Sequence, residues 1–239
     1  MMRGTRDFEN TFIRAWELLV ANWIIVLPGI VLGVASGFCS LVLGTIVSGD
    51  LAMPGSGSDV SYVSHIVYAV AMVVIGVLAS LVQMAFVTGM AGAAWQRGNA
   101  SLADGWNALT HRIVQLFLAT ALLFLIGDCA AVLAPVTFLV TLLVYATFLI
   151  YTMASVIVGK REALAAIVES CRLALSNIVP TLGIVVLIAV IAFAGGSIGS
   201  LIARVTPFGG SLVAGVLQQA IVAYASLVVM GEYLKLQAA

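Results

Sequence analysis

Six long apolar segments limit what this chain can fold into. They lie at residues 23–47, 63–94, 113–134, 136–158, 178–202 and 212–234. Each is long enough for a helix to cross the hydrocarbon of a bilayer, which takes about 20 residues. Backbone groups in lipid must pair within the protein, and continuous apolar runs lack the alternation of barrel strands. The sequence therefore predicts an all-α, polytopic integral membrane protein with six transmembrane helices.

Composition supports this class and narrows the partners. The chain is 63% hydrophobic and 8% charged, far from the usual mix of a soluble globular domain. Its ten basic and ten acidic residues cancel, so no overall field attracts nucleic acid. The polar connections are too short to enclose a second core. We therefore expect one membrane domain over residues 1–239, with membrane lipids as partners and no nucleic acid.

The basic residues predict the orientation, because loops rich in Lys and Arg stay cytoplasmic. Nine of the ten fall on one side of the predicted spans: Arg3, Arg6, Arg14, Arg97, Arg112, Lys160, Arg161, Arg172 and Lys235. The other side carries Arg204. The pattern indicates a multi-pass membrane protein with both termini cytoplasmic.

Three cytoplasmic segments share a pattern: "FIRAWELLVANW" (12–23), "LADGWNALTHRI" (102–113) and "IVESCRLALSNI" (167–178). Each carries a charge at its third position and a polar residue just before the membrane run. The apolar residues in between recur at helical spacing, which predicts short amphipathic helices near 5–21, 101–111 and 161–176. We call these elbow helices, and we expect each to lie in the membrane interface with its apolar side toward acyl chains or toward the bundle.

One elbow helix precedes each pair of spans, so the chain divides into three similar units. Their approximate bounds are 5–98, 99–160 and 161–239. Because every unit crosses the membrane in the same sense, the pattern predicts three parallel repeats of elbow helix plus helical hairpin.

Two stretches of the sequence resemble a known family. They are the N-terminal amphipathic segment leading into Asn22 and Trp23, and "REALAAIVESCRLALSNIVP" (161–180) leading into the fifth span. Both are similar to an uncharacterised bacterial six-span membrane family, which includes YciC-like proteins and the membrane domain of some glycerophosphodiester phosphodiesterases. The resemblance implies a six-span fold and a membrane location, and it implies no reaction.

Glycines at four-residue spacing mark candidate helix contacts. Gly29, Gly33 and Gly37 lie in the first span, and Gly195 and Gly199 lie in the fifth. Small residues let helix backbones approach closely in lipid, where packing drives association. The spacing predicts close packing within the chain, and the alternative is an interface between subunits of a homo-oligomer.

The residues suited to catalysis are few and scattered. Asp128 lies inside a predicted span, toward its outer end, whereas Asp59 precedes the second span and His65 begins it on the outer side. Together they have the residue types for hydrolysis, but nothing in the sequence fixes the geometry between a nucleophile and a base. His65 and His111 fall on opposite sides of the bilayer, so one metal site cannot include both. We therefore expect no metal and no cofactor.

Basic residues at the elbow helices suit a lipid surface. Arg14, Arg112, Lys160, Arg161 and Arg172 lie near the predicted inner headgroups. Each contributes about 1 kcal/mol of attraction to anionic lipid near the surface. The sequence favours a non-enzymatic scaffold, or a transport-related or lipid-associated component that contacts lipids or a membrane-protein partner. The alternatives are a lipid-modifying hydrolase with an outer-face site and an oligomeric channel or pore.

Overall fold

The computed structural model describes residues 3–51, 58–133, 135, 137, 140–206 and 210–238. These residues are helical almost throughout and include no strand. The α-helices in chain order are α1 (Arg3–Ala21), α2 (Leu27–Leu51), α3 (Ser58–Arg97), α4 (Leu102–His111), α5 (Ile113–Leu133), α6 (Val140–Leu149), α7 (Thr152–Ile157), α8 (Ala163–Ser176), α9 (Ile178–Val205) and α10 (Gly210–Ala238). A 3-10 turn, Trp23–Val26, joins α1 to α2.

Long apolar helices dominate the structure. Five are long and apolar enough to cross a membrane: Ile66–Arg97, Ile113–Leu133, Val140–Ile157, Ile178–Val205 and Leu212–Ala238. A sixth is added if Asn10–Ala21 and Trp23–Cys39 are taken as one span, although the chain turns by 87° between them. The all-helical prediction is therefore confirmed, and the helices are compatible with a multi-pass membrane protein.

The predicted elbow helices correspond to α1, α4 and α8, and each begins within two residues of its expected position. All three end at a polar residue with nearly the same non-helical backbone. The φ and ψ angles are −125° and 50° at Asn22, −133° and 23° at Arg112, and −134° and 46° at Asn177. The helix therefore breaks at the same place in all three segments, and a long helix follows each break.

The fourth apolar segment is interrupted between α6 and α7 by a side chain from α8. The Ser170 hydroxyl accepts a hydrogen bond from the Tyr151 backbone N–H at 3.1 Å and donates one to the Phe148 carbonyl at 2.7 Å. A side chain inserted between backbone groups in this way is a recognised cause of helix breaks. The elbow helix α8 is thus hydrogen-bonded into the helix that precedes it.

Burial is concentrated at one end of the bundle, where α1, α4 and α8 lie; we call this the elbow end. One buried cluster includes Ala15 of α1, Met90 of α3 and Leu227 of α10, and a second includes Leu116 of α5 and Val156 of α7. Large apolar side chains toward the other end are exposed, for example Val34, Phe38, Val67, Val132 and Phe193. Water would penalise this exposure, whereas hydrocarbon would not.

The elbow helices pack through small residues. Ala15, Gly105 and Ser170, which occupy equivalent positions in the three sequence segments, are all buried. The larger apolar residues point away from the bundle, with Trp16 at 59% and Trp106 at 58% exposure. On α8 the apolar stripe is exposed as well. The sequence left open which way these stripes face, and the structure turns them outward.

The predicted glycine contacts are only partly present. A side chain at Gly29 would collide with Gln219 of α10, one at Gly195 would collide with Ile221, and a Cβ at Gly199 would lie 3.3 Å from the Ala214 Cβ. Helices therefore approach closely at these three glycines.

Gly33 and Gly37 do not show the close helix contact expected of them. Both are exposed, and no atom of the described residues lies within 4 Å of where their Cβ atoms would stand. Gly215, one turn from Gln219 on α10, is also open. Among the described residues, the packing predicted at Gly33 and Gly37 is not seen, and α2 and α10 meet near Gly29 and then separate.

Candidate functional site

A polar pocket of about 300 Å³ lies at the elbow end, where α4 meets the last turns of α3 and the end of α7. We call this place the α4 junction. The polar and glycine residues that line it include Gly89, Gly92, Gln96, Arg97, Asp104, Asn107 and Lys160. Two cations, one carboxylate and two amides thus surround one cavity.

Asp104 and Arg97 form a fixed ion pair on one side of this pocket. Arg97 Nη2 donates to Asp104 Oδ1 at 2.6 Å. Asp104 Oδ2 accepts from the Ser101 backbone N–H at 2.9 Å and from the Ser101 hydroxyl at 2.8 Å, which caps α4. Partial burial alone would raise the pKa of Asp104, but these hydrogen bonds outweigh it and lower the pKa below its usual value. Asp104 is therefore ionised and already has its hydrogen-bond donors.

Lys160 has an unusual backbone. Its φ of 53° is the one positive φ among the described non-glycine residues. Arg112 Nη1 donates to the Lys160 carbonyl at 2.8 Å. The left-handed conformation costs an L-residue with a side chain roughly 1–2 kcal/mol, which glycine avoids.

In the equivalent turn after α3, a glycine occupies the left-handed position. Gly98 there has a φ of 79°, and Asn22 Nδ2 donates to its carbonyl at 3.2 Å. Asn22 and Arg112 are the residues at which α1 and α4 end, so each of these elbow helices holds the turn after its own hairpin. One turn uses glycine, and the other carries a lysine beside the pocket.

Glycines keep the helices close at the floor of the pocket. A Cβ at Gly89 would lie 2.5 Å from the Ala108 Cβ of α4. A Cβ at Gly92 would lie 3.0 Å from Val158 and 3.7 Å from Met230. The absence of side chains at these two positions therefore lets α4 and Val158 pack close to α3.

An apolar cavity of about 440 Å³ lies on the other side of Gly92 and Met230. Residues of α3, α5, α6, α7, α9 and α10 line it, and they are mainly apolar. Its polar edges are engaged within the protein: the Tyr145 hydroxyl donates to the Leu123 carbonyl at 2.8 Å, and the Ser226 hydroxyl to the Val222 carbonyl at 2.9 Å. Its size falls in the roughly 300–1,000 Å³ range of small-molecule sites.

The next junction along the chain is crossed by side-chain hydrogen bonds. At this α8 junction, Glu169 accepts hydrogen bonds from Ser155 Oγ at 2.6 Å, Arg161 Nε at 3.1 Å and Gln237 Nε2 at 3.2 Å. Gln237 also donates to the buried Tyr233 hydroxyl at 2.5 Å. A Cβ at Gly159 would collide with that hydroxyl. Side chains fill this junction and saturate its carboxylate.

The junction of α1 with α3 and α10 is also filled. The Arg14 guanidinium lies 5.2 Å from the centre of the Trp95 ring, and Trp95 Nε1 donates to the Leu227 carbonyl at 2.7 Å. Glu232 is only 8% exposed, accepts from the Thr11 hydroxyl at 3.4 Å and lies 3.9 Å from Lys235 Nζ. The Glu232 carboxylate is thus packed under α1.

The predicted lipid-contact residues do not form one site. Arg112 and Lys160 come together at the α4 junction, whereas Arg161 pairs with Glu169 and Arg14 lies over Trp95. Arg172 is exposed on α8. The five residues share the elbow end, but two of them adjoin a cavity.

Two of the three candidates for hydrolysis lie outside the part of the chain whose side chains can be described. Asp128 is exposed on α5. Asp59 and His65 belong to the first turns of α3, and their side chains lie outside the described residues. Among the residues that the structure does describe, no three His, Cys, Asp or Glu side chains are grouped as metal ligands.

Polar residues inside the apolar segments mostly tie helices together. Gln83 of α3 donates to Gln219 of α10 at 2.6 Å. Gln115 of α5 accepts from the Ala163 N–H at the start of α8 at 2.9 Å. Tyr145 lines the apolar cavity. These contacts explain helix registration and leave the α4 junction as the candidate site.

Sequence reasoning missed Gly89, Gly92 and the backbone of Lys160. The signal for Lys160 was present, because aligning "QRGN" (96–99) with "VGKR" (158–161) sets Gly98 against Lys160. Comparisons of this chain with family models, with curated proteins and with solved structures find no match.

Proposed function

We propose that the chain is a non-enzymatic, lipid-associated component of the bacterial cytoplasmic membrane, with both termini cytoplasmic. The observation that carries this proposal is the position of the two cavities. The polar pocket and the apolar cavity are lined by successive turns of α3 and of α7, and Gly92, Val158 and Met230 lie between them. A phospholipid has the same two parts, a charged headgroup and apolar chains.

The outward stripes of the elbow helices support this function. Trp16, Trp106 and Val168 are exposed beside basic residues at the elbow end. Amphipathic helices of this kind lie in the membrane interface with the apolar side in the acyl region. Lys and Arg at this end then adjoin the inner headgroups, which fits the predicted orientation.

We also propose that the chain is built from three parallel repeats, and that it belongs with the YciC-like membrane proteins that its sequence resembles. Two contacts recur and support the repeats. The residue that ends the elbow helix donates to the carbonyl of the next hairpin's turn, at Gly98 and at Lys160. A base after each hairpin pairs with the acid of the next elbow helix, as in Arg97 with Asp104 and Arg161 with Glu169.

Native mass spectrometry with lipid identification, run beside a lipid-hydrolysis assay, tests the function. The purified protein is expected to retain phospholipid and to hydrolyse none. His65→Ala and Asp128→Asn are the matched variants. Hydrolysis by the wild type that disappears in either variant would replace this proposal with the outer-face hydrolase.

Reporter fusions test the orientation independently. Fusions after residues 98 and 162 are expected to report the cytoplasm, and fusions after 55 and 208 the outside. A cytoplasmic signal at residue 55 would contradict the proposed topology.

A second copy of the chain is the partner we propose for the exposed face of α2. Gly33 and Gly37 leave this face open to a close helix contact, and small residues favour such contacts in lipid. Gly33→Leu is expected to dissociate the oligomer without lowering the thermal stability of the monomer. Gly29→Leu is the control and should cost about 1–3 kcal/mol by overpacking against Gln219. If native mass spectra show a monomeric wild type, both the second copy as partner and the oligomeric pore are contradicted.

A further inference from the structure

We propose that the α4 junction binds a phosphate group through Lys160 and Arg97, assisted by the amides of Gln96 and Asn107. The inference rests on the proposed function, because it names the site at which a phospholipid headgroup is held. The ligand chemistry is that of a phosphate ester or of free phosphate.

The charges at the junction favour an anion. Arg97 and Lys160 carry two positive charges against the single negative charge of Asp104. Asp104 already accepts from Arg97 and from two Ser101 donors, so it does not need Lys160 as a partner. A guanidinium has five N–H donors, and one of those on Arg97 is used by Asp104. Arg112, bonded to the Lys160 carbonyl, adds positive charge beside the pocket.

The backbone of Lys160 supports a role beyond folding. Gly98 occupies the equivalent turn and adopts the left-handed conformation without cost. A lysine in that conformation is retained at an energetic cost, and outliers of this kind cluster at functional sites. Lys160 in this conformation lines the pocket.

The space at the junction is the third observation. At the α8 junction, Tyr233 and Gln237 occupy the room and complete the partners of Glu169. At the α4 junction, a pocket of about 300 Å³, lined in part by Gly89 and Gly92, lies beside two cations. A phosphate offers several acceptor oxygens at once, which suits a lysine, an arginine and side-chain amides together.

The test measures ligand affinity by thermal shift on the purified full chain in detergent, at about 0.5 M salt, where contacts between separated surface charges are largely screened. The probes are phosphatidylglycerol, diacylglycerol, which lacks the phosphate, and inorganic phosphate. Wild type should bind phosphatidylglycerol more tightly than diacylglycerol. Lys160→Gly should weaken phosphatidylglycerol binding by about tenfold or more, the effect of losing a charge-assisted hydrogen bond.

Lys160→Gly is chosen because glycine suits this backbone, so the apo protein should melt no lower than wild type. Lys160→Asn, which also tolerates the left-handed conformation, repeats the test with a polar side chain. Arg172→Gln removes a charge from the same end of the bundle away from the pocket, and its affinity should stay within about twofold of wild type in screening salt.

The outcomes separate the site from the proposed function. Inorganic phosphate that binds wild type and is lost in Lys160→Gly supports the site and assigns a soluble source, whereas binding of phosphatidylglycerol alone assigns the lipid. Equal affinity of wild type and both Lys160 variants for phosphatidylglycerol overturns the site and leaves lipid association standing. Equal affinity of wild type for diacylglycerol and phosphatidylglycerol also overturns the site and leaves lipid association standing. Absence of lipid binding in wild type overturns both.

Discussion

The α4 and α8 junctions share the same kinds of helix contact and ion pair but differ in the side chains that occupy them. In each, an elbow helix packs on the preceding helix through a small residue, and an acid of the elbow helix pairs with a base from the end of that helix. At α8, Tyr233 and Gln237 complete the arrangement. At α4, glycines leave a cavity beside Lys160.

The difference shows how one scaffold can serve packing at one place and binding at another. A carboxylate whose partners all come from the protein holds helices together, since every buried polar group is satisfied. A pocket that keeps spare donors on its cations is ready for a ligand. The α8 junction is therefore expected to matter for stability, and the α4 junction for binding.

The largest expected effect is the loss of Glu169. Glu169→Ala leaves the buried Ser155 hydroxyl without its acceptor and frees Arg161 and Gln237, at a cost of about 2–3 kcal/mol. Asp104→Ala, the matched change, removes a helix cap and an exposed ion pair and should cost about 1 kcal/mol. Thermal unfolding in one detergent compares them, and equal losses would erase the distinction between the junctions.

The two turns that follow the hairpins provide the next comparison. Gly98→Lys places a lysine at the turn that lacks the pocket, and should lower stability by about 1–2 kcal/mol through its backbone alone. No atom of the described residues lies within 4 Å of a Cβ at this position, so steric collision does not contribute. Unfolding measurements of Gly98→Lys and Lys160→Gly should shift in opposite directions. A Gly98→Lys protein as stable as wild type would show that the left-handed backbone costs a lysine nothing at this turn.

The Tyr233 hydroxyl tests how much the α8 junction contributes to stability. Tyr233→Phe keeps the buried ring but removes the acceptor of the Gln237 amide, which should cost about 1 kcal/mol. Phosphatidylglycerol affinity should not change, because Tyr233 does not line the α4 pocket. A loss of affinity with no loss of stability would reverse the roles of the two junctions.

The smallest expected effect is the pH dependence of Asp104. Its pKa is lower in the folded protein than the usual 3.8, because hydrogen bonds from Arg97 and Ser101 outweigh partial burial. A lowered folded-state pKa stabilises the protein above the unfolded pKa, and this stability is lost as pH falls through the folded value. The melting temperatures of wild type and Asp104→Asn should therefore converge below about pH 4. A constant difference from pH 6 to pH 3 would contradict the ionised pair.

The helical spacing of the apolar residues and the polar residue at the end of each segment were enough to predict the elbow helices. Asn22, Arg112 and Asn177 mark the end of each elbow helix in the sequence and in the structure. What could not be predicted was which side of each elbow helix is buried. The rule that large apolar residues face the core assumes water outside, and here Trp16 and Trp106 face outward while Ala15 and Gly105 pack inside.

Glycine spacing shows a second limit of the sequence. Gly29 and Gly33 have the same local pattern, yet a side chain at Gly29 would meet Gln219 and one at Gly33 would meet nothing among the described residues. Whether two helices touch at a given turn depends on their crossing geometry, which no single segment encodes. The α4 pocket is missed for the same reason, since Gly92 and Lys160 become neighbours only through the packing of α3 on α7.

The packing of α1 on α10 bears on how the protein is made. Thr11 and Glu232, which meet in this contact, are separated by 221 residues of chain. During synthesis, α1 leaves the ribosome long before α10 exists, so the buried face around Ala15 has no final partner while the intervening helices enter the membrane. Docking of α1 on α10 is then a late assembly step.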